Sequence, residues 1–430
     1  MHALLTVLPL LLILVLLLPP FRFHILVAGL AGGVLAAIVG GLDLGKITHL
    51  YLGGLSQMLS IVSVAIFAAT AMVLAKLGAT QACMKLIQRT FKGRLGLVAA
   101  AMVLVQAAAV YVAGCGAANT LVTAPLIYSV VGFVPHVVAG LSIVSGASWA
   151  TSPASAESAY ISKAMNIQPG EYAEFMRPFT IAFWVIGALL AWYGVSRYAA
   201  ARKIKPGGNG ESAGQAGATT DGDGEALGAV ARRALPFLLL LLLILIGPPL
   251  NRALGVNLFT TVTTPLFVLI TAAITARVNP NRMCEMLVDG SVTILRYLFL
   301  VGLFLGFINL LGEIGTFKTL ASLAGAAPAG LLVVAALIIA FLIAVPSAAY
   351  TVAIDALIIP VLAQAGVPVW AFGFVGIAVA QGAMISPAQI NVAATAHGFQ
   401  TDIMRIIRNN LPYMPVALVI TMLMAVLFLR

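Results

Sequence analysis

LGLVAAAMVLVQAAAVYVAGCGAANTLVTAPLIYSVV, residues 95–131, is one apolar run interrupted near its middle by Gly114, Gly116, Asn119 and Thr120. A helix rises about 1.5 Å per residue and a bilayer core is about 30 Å thick, so about 20 apolar residues cross it. The run is too long for one crossing and its centre is polar. It predicts two short helical arms meeting at a tip, a re-entrant hairpin. In hydrocarbon such a tip is tolerated only where protein or water satisfies its backbone, so the tip also predicts a binding site.

The rest of the chain agrees that lipid is the solvent. Its 430 residues are 62% hydrophobic and 8% charged, with a mean hydropathy of +1.09. An ordinary soluble domain is about half apolar and about a quarter charged. Further apolar runs lie at Ala3–Leu18, Ile25–Leu42, Val292–Leu311 and Val416–Leu429. The first has no Lys or Arg ahead of it and no small-residue cleavage site after it, so it reads as a retained span rather than a secretory signal. The net charge of +10 sits in short loops between apolar runs, which points to orientation in a membrane and not to nucleic acid. Cys83, Cys115 and Cys284 are too scattered for a metal cluster or a disulfide framework.

One break in composition divides the chain. Lys203–Ala231 is rich in Gly, Ala, Ser and Thr, carries four acids, and reads as a flexible linker. The halves on either side share landmarks in the same order. Pro19-Pro20 matches Pro248-Pro249, Lys76-Leu77-Gly78 matches Glu313-Ile314-Gly315, and Val134-Pro135 matches Val367-Pro368. Ala117-Ala118-Asn119-Thr120 matches Ala348-Ala349-Tyr350-Thr351, and Ser152-Pro153-Ala154 matches Ser386-Pro387-Ala388. The offset of about 230 residues is that of a duplicated unit.

Spans at Ala3–Leu18, Ile25–Leu42, Met58–Leu77, Val137–Trp149 and Phe179–Tyr193 give the first half five crossings besides the hairpin. An odd count makes the repeats inverted. With both termini outside and the linker cytoplasmic, Lys and Arg divide about 16 inside to about 6 outside, as the positive-inside rule expects. The predicted fold is an all-α polytopic membrane protein. It has two inverted repeats, each with about five spans, a re-entrant hairpin and a broken helix.

Each half has two discontinuities, and these are where a transporter holds its ligands. The tips are Gly114–Thr120 and Pro346–Thr351; the breaks are Ser145–Ser158 and Gln381–Asn391, each centred on Ser-Pro. A proline removes a backbone donor and frees a carbonyl for a cation, while half-helix N-termini suit an anion. Candidate substrate contacts are Ala118, Asn119, Thr120, Ala349, Tyr350 and Thr351 at the tips, with Ser152, Pro153, Ser386 and Pro387 at the breaks. Candidate coupling-ion ligands are Gly116, Asn119, Ser148, Glu157, Asp355, Gln389 and Asn391. Of the acids, Glu157 follows the first Ser-Pro and Asp355 the second tip, and acids inside a membrane default to function. No His-Glu-x-x-His run or obvious Ser-His pair suggests an enzyme, and paired symmetric breaks favour alternating access over an open pore.

These residues resemble the ion transporter superfamily, which includes divalent anion:sodium symporters, citrate permeases, gluconate permeases and the membrane subunits of tripartite carboxylate transporters. The likeness rests on the two halves, the linker, Ala118-Asn119-Thr120-Leu121 with Pro125-Leu126, and Gly146–Pro153, and it covers nearly the whole chain. In the divalent anion symporters a Ser-Asn-Thr triplet at each tip holds a substrate carboxylate beside sodium. Here the triplets are Ala118-Asn119-Thr120 and Ala349-Tyr350-Thr351, which lack both serines and the second asparagine. Pro135–Gly146 looks instead like gluconate permeases, which move an organic anion with protons.

The resemblance implies an elevator mechanism and, usually, a homodimer in a bacterial cytoplasmic membrane. The first repeat is 1–200, with scaffold spans in 3–77 and transport elements in 95–197. The linker is 201–231, and the second repeat is 232–430, with scaffold 235–311 and transport elements 331–430. The implied partners are a small organic anion, sodium or protons, and the bilayer; no cofactor other than Na+ as a coupling ion is expected. The rival reading is a cation/proton antiporter of the same fold with no organic substrate.

Overall fold

The computed structural model describes residues 5–17, 21, 23–61, 64–91, 94–114, 116–202, 226–256, 258–260, 262–324, 328–348 and 351–428. Pro19-Pro20, Cys115, residues 203–225 of the expected linker, Ala349 and Tyr350 lie outside them, as does the side chain of Ala118.

The first half runs through α1 (Leu8–Leu17), α2 (Ile25–Gly40), α3 (Leu44–Ile61), α4 (Val64–Lys76), α5 (Ala79–Thr90), α6 (Leu95–Ala113), α7 (Gly116–Val131), α8 (Pro135–Thr151), α9 (Ala156–Ala164) and α10 (Pro169–Arg202). The second runs through α11 (Leu227–Leu254), α12 (Thr263–Ala276), α13 (Pro280–Glu313), α14 (Thr316–Ala324), α15 (Ala329–Ser347), α16 (Thr351–Gln364), a 3-10 turn at Val369–Ala371, α17 (Phe372–Ala383), α18 (Ile390–Gly398), α19 (Ile403–Asn410) and α20 (Met414–Phe428). No strand occurs among the described residues. The order of the first half recurs in the second: α13 stands where α3 and α4 stand, α15 and α16 where α6 and α7 stand, and α18 where α9 stands.

Among the described residues three helices are long and apolar enough to cross a membrane: Leu95–Ala113, Pro169–Tyr198 and Leu227–Gly247. Two bent pairs, Ala65–Lys76 with Ala79–Thr90 and Ile403–Asn410 with Met414–Phe428, raise the number to five. The chain is a multi-pass helical membrane protein, and many of its other apolar helices are short, as broken segments are.

Several boundaries differ from the sequence reading, for local reasons. The span expected from Met58 is preceded by helix already from Leu44, because α3 packs along α13, where Asn309 donates to the Leu50 carbonyl at 3.0 Å. The hairpin arms are not short: α6 has 19 residues and α7 has 16, since nothing between Gly96 and Gly114 interrupts the helix. The expected linker ends earlier, because Val230, Ala234 and Phe237 are buried and draw the helix back to Leu227. The breaks are also narrower than expected. Ser145 and Ser148 remain in α8, their hydroxyls taken by Gln106 at 3.3 Å and Trp184 at 2.7 Å, and only the stretch with Pro153 leaves the helix.

Buried apolar side chains form three clusters. The largest joins α6–α10 with α15–α20 and so mixes both halves. A second joins α1, α2 and α13 to the starts of α9 and α16, and a third joins α4, α5, α11 and α12 to the end of α6 and to Ala154 of the first break. Each smaller cluster thus ties the early helices of both halves to a hairpin or a break. The ion pairs Lys46–Glu313, at 2.5 Å, and Arg252–Glu174 also link the halves.

Candidate functional site

At the first tip, α6 ends on Gly114, whose φ of +62° is left-handed. A Cβ there would stand 2.2 Å from the carbonyl of Ala154, so only glycine lets the tip lie on the first break. Below the tip, the Gln106 amide donates to Thr120 Oγ1 at 2.7 Å and to Ser145 Oγ at 3.3 Å, and its carbonyl accepts from Thr123. Asn119 donates to the Ala109 carbonyl at 3.1 Å. These bonds lace the two arms together and satisfy the polar groups of the tip internally.

The two breaks are the same turn. Ser152 Oγ accepts from Ala154 N at 3.0 Å, and Ser386 Oγ accepts from Ala388 N at 3.1 Å. The residue before each short helix then caps it: Ser155 accepts from Ser158 N at 3.0 Å, and Gln389 from Asn391 N at 3.4 Å. Ser152, Ser386 and Gln389, expected from sequence to be ligands, thus build the turns together with Ser155. Ser152 also donates to the Tyr111 carbonyl, fixing the first break to the end of α6. Pro153 lines a cavity of about 360 Å³ with Gln168, Glu171, Asn251 and Thr260, between the first break and helices of the second half.

The tips meet the breaks crosswise. Gly116, opening α7, lies so close to Asn391 of the second break that a Cβ would be 2.3 Å from its Oδ1. Thr351, opening α16, donates to Glu157 Oε1 of the first break at 2.6 Å. Glu157 and Asn391 are each the second residue of their helix, and Gly116 and Thr351 the first of theirs. The two contacts therefore join like positions at the starts of their helices.

This fixes a register different from the one in the sequence reading, which matched Thr120 to Thr351. Pro125 and Pro360 each lie nine residues after the start of their helix, so Thr351 corresponds to Gly116 and Asp355 to Thr120. The shared threonines misled; the two prolines were the better guide, because each interrupts its helix at the same depth.

Asp355 is fully buried, one turn along α16 from Thr351, and neither carboxylate oxygen has a hydrogen-bond partner among the described residues. It interacts electrostatically with Glu157, which is 3% exposed. The structure thus brings together Thr351, Glu157 and Asp355 in one group and Gly116 and Asn391 in another. Asn119 and Thr120 are held in the first hairpin, while Ser148 serves Trp184. Sequence reasoning overlooked Gln106, the one side-chain amide in the run from Leu95 to Ala113 and on that ground a visible candidate. Tyr160 and Tyr172, both within electrostatic reach of Asp355, were overlooked too.

No family model and no curated protein matches the chain. Among solved structures it is similar to the crystal structure of the YdaH transporter of Alcanivorax borkumensis, whose topology is described as unusual. The TM-score is 0.60 at 16% identity, over 100% of this chain and 98% of that one. At this identity the likeness concerns the fold: an all-helical arrangement that a transporter also has.

Proposed function

We propose that this chain is a secondary active transporter that moves a small organic anion, a carboxylate or sugar acid, by symport with sodium or protons. The observation that carries the reading is the crosswise meeting of tips and breaks. It gathers the N-terminal ends of α7, α9, α16 and α18, the positive ends of their dipoles, into the buried middle of the chain. Such ends favour an anion. Beside them Glu157 and Asp355 supply carboxylates for a cation, and for Asp355, buried with no hydrogen-bond partner among the described residues, a cation would offset the cost of a buried charge.

The reading also takes the repeats as inverted and the mechanism as an elevator, with scaffold in 3–77 and 235–311 and transport elements in 95–197 and 331–430, the latter sharing the largest buried cluster. Under this reading the chain is a dimer in a bacterial cytoplasmic membrane, with both termini outside and residues 201–231 cytoplasmic. Uptake of labelled succinate, citrate and gluconate into proteoliposomes tests it. Saturable uptake of one of them that follows an imposed sodium or proton gradient is expected; its absence for all, with either gradient, rejects symport.

The Glu157–Asp355 pair specifically favours a second reading, a cation/proton antiporter without an organic substrate. Cation-driven proton movement that no anion stimulates would select it.

A further inference from the structure

The two tip–break contacts correspond in position but not in charge. Glu157 of the first break corresponds to Asn391 of the second, and Asp355 of the second tip to Thr120 of the first. Both carboxylates therefore fall in one contact, the second tip on the first break. The other contact, the first tip on the second break, has Thr120 and Asn391 at the same two places, with neither an acid. Each holds one polar group that is more than nine-tenths buried and unpartnered among the described residues. In one it is Asp355, 0% exposed; in the other it is Oδ1 of Asn391, 6% exposed and set against Gly116.

We propose that the two contacts divide the ligands by charge: one monovalent cation binds between Glu157 and Asp355, and an anionic oxygen of the substrate binds at Gly116, Thr120 and Asn391. The anion half rests on the symport reading above; the cation half does not.

The chemistry of each half supports the division. Two carboxylates close together in a dry site repel, and a single sodium ion or proton between them removes the repulsion. Pro360 leaves the Ala356 carbonyl, next to Asp355, without its helical donor, which adds a neutral oxygen for a cation. Glu157 and Tyr160 on α9, which packs against α16, and Tyr172 on α10 lie within electrostatic reach of Asp355. In the other half the starts of α7 and α18 supply N–H groups. Thr120 accepts from Gln106 and keeps its own proton to donate, and the Asn391 amide can turn its NH2 to an anion. With no acid at these two places, a second, symmetric cation site is not built.

The test uses the full chain in nanodiscs. Bound 22Na+ is counted by equilibrium dialysis, and proton uptake is counted without sodium, so the two cations are told apart. Stabilisation by succinate and by gluconate is followed by thermal unfolding. We expect one cation per wild-type chain, none for Asp355→Asn, and an affinity at least tenfold weaker for Glu157→Gln. Asn391→Asp is expected to keep one cation and lose the anion-dependent shift. Two cations per wild-type chain, or an undiminished count in Asp355→Asn, overturn the division while leaving symport standing. An anion shift retained in Asn391→Asp overturns the anion half. If neither anion shifts the wild type, the symport reading and the anion half fall together, and the cation count still decides the rest.

Discussion

The two hairpins share a shape and differ in how they are held. The first turns on Gly114 in a left-handed conformation, and its arms are laced by Gln106 to Thr120, Thr123 and Ser145. The second has Ala348 at the corresponding place, with a φ of −61° in the right-handed region. Ala340 stands where Gln106 would, and Asp355 where Thr120 would. One hairpin therefore satisfies its polar groups by itself, whereas the other keeps a buried acid unpartnered among the described residues. A shared frame is kept more readily than a polar network, and where the network is missing a buried acid remains, the group assigned above to a cation.

The largest expected effect breaks the comparison at the turns. Gly114→Ala forces an L residue into the left-handed region and drives a Cβ into the Ala154 carbonyl. Strain and overpacking together cost about 4 kcal/mol, and the proposed transport should be lost with the tip lifted off the break. The mirror change, Ala348→Gly, should cost no more than about 1 kcal/mol. Unfolding of both proteins in detergent measures the difference; equal losses would mean that the turns are interchangeable.

Next in size is the lacing itself. Gln106→Leu strands Thr120, Thr123 and Ser145 in a buried setting and should destabilise the protein by about 3 kcal/mol. Asp355→Asn removes a charge instead of a partner, and without cations it should leave stability unchanged or raise it by about 1 kcal/mol. Melting curves in sodium-free buffer decide; a loss in Asp355→Asn as large as that in Gln106→Leu would refute the contrast drawn between the hairpins.

What sequence could and could not give follows from the range of each interaction. Pro153 and Pro387 must break their helices because each lacks an N–H, and Gly114 must turn, so these features were readable locally. The apolar runs likewise announced the membrane. The helix from Leu44 and the start of α11 were not readable in this way, because polar or weakly apolar stretches become helical there through packing on distant partners. The contacts of Thr351 with Glu157 and of Gly116 with Asn391 join residues far apart in the chain. Nothing local specifies them. The register at the second tip was readable from Pro125 and Pro360, but the repeated Thr pulled the match elsewhere.

A smaller effect sharpens the comparison where the halves touch. Thr351→Val removes the hydroxyl that donates to buried Glu157. A hydrogen bond to a charged group is worth about 2 kcal/mol and one between neutral groups about 1 kcal/mol. Thr351→Val should therefore cost about 1–2 kcal/mol in sodium-free melts, less than Gln106→Leu. No measurable loss would mean that the contact between the second tip and the first break adds nothing to stability.

The smallest effect separates the two breaks, which are otherwise the same turn. Ser152→Ala and Ser386→Ala each remove an oxygen that accepts the N–H two residues on, worth about 1 kcal/mol. Ser152 additionally donates to the Tyr111 carbonyl and so ties its break to the rigid hairpin. Ser152→Ala should thus cost about 1 kcal/mol more than Ser386→Ala. If the two losses prove equal, that tie contributes nothing, and the first break is free to move against the first hairpin. If they differ as expected, hairpin and break behave as one body, in keeping with Ala108–Ala113 and Ala154 sharing one buried cluster with α4, α5, α11 and α12.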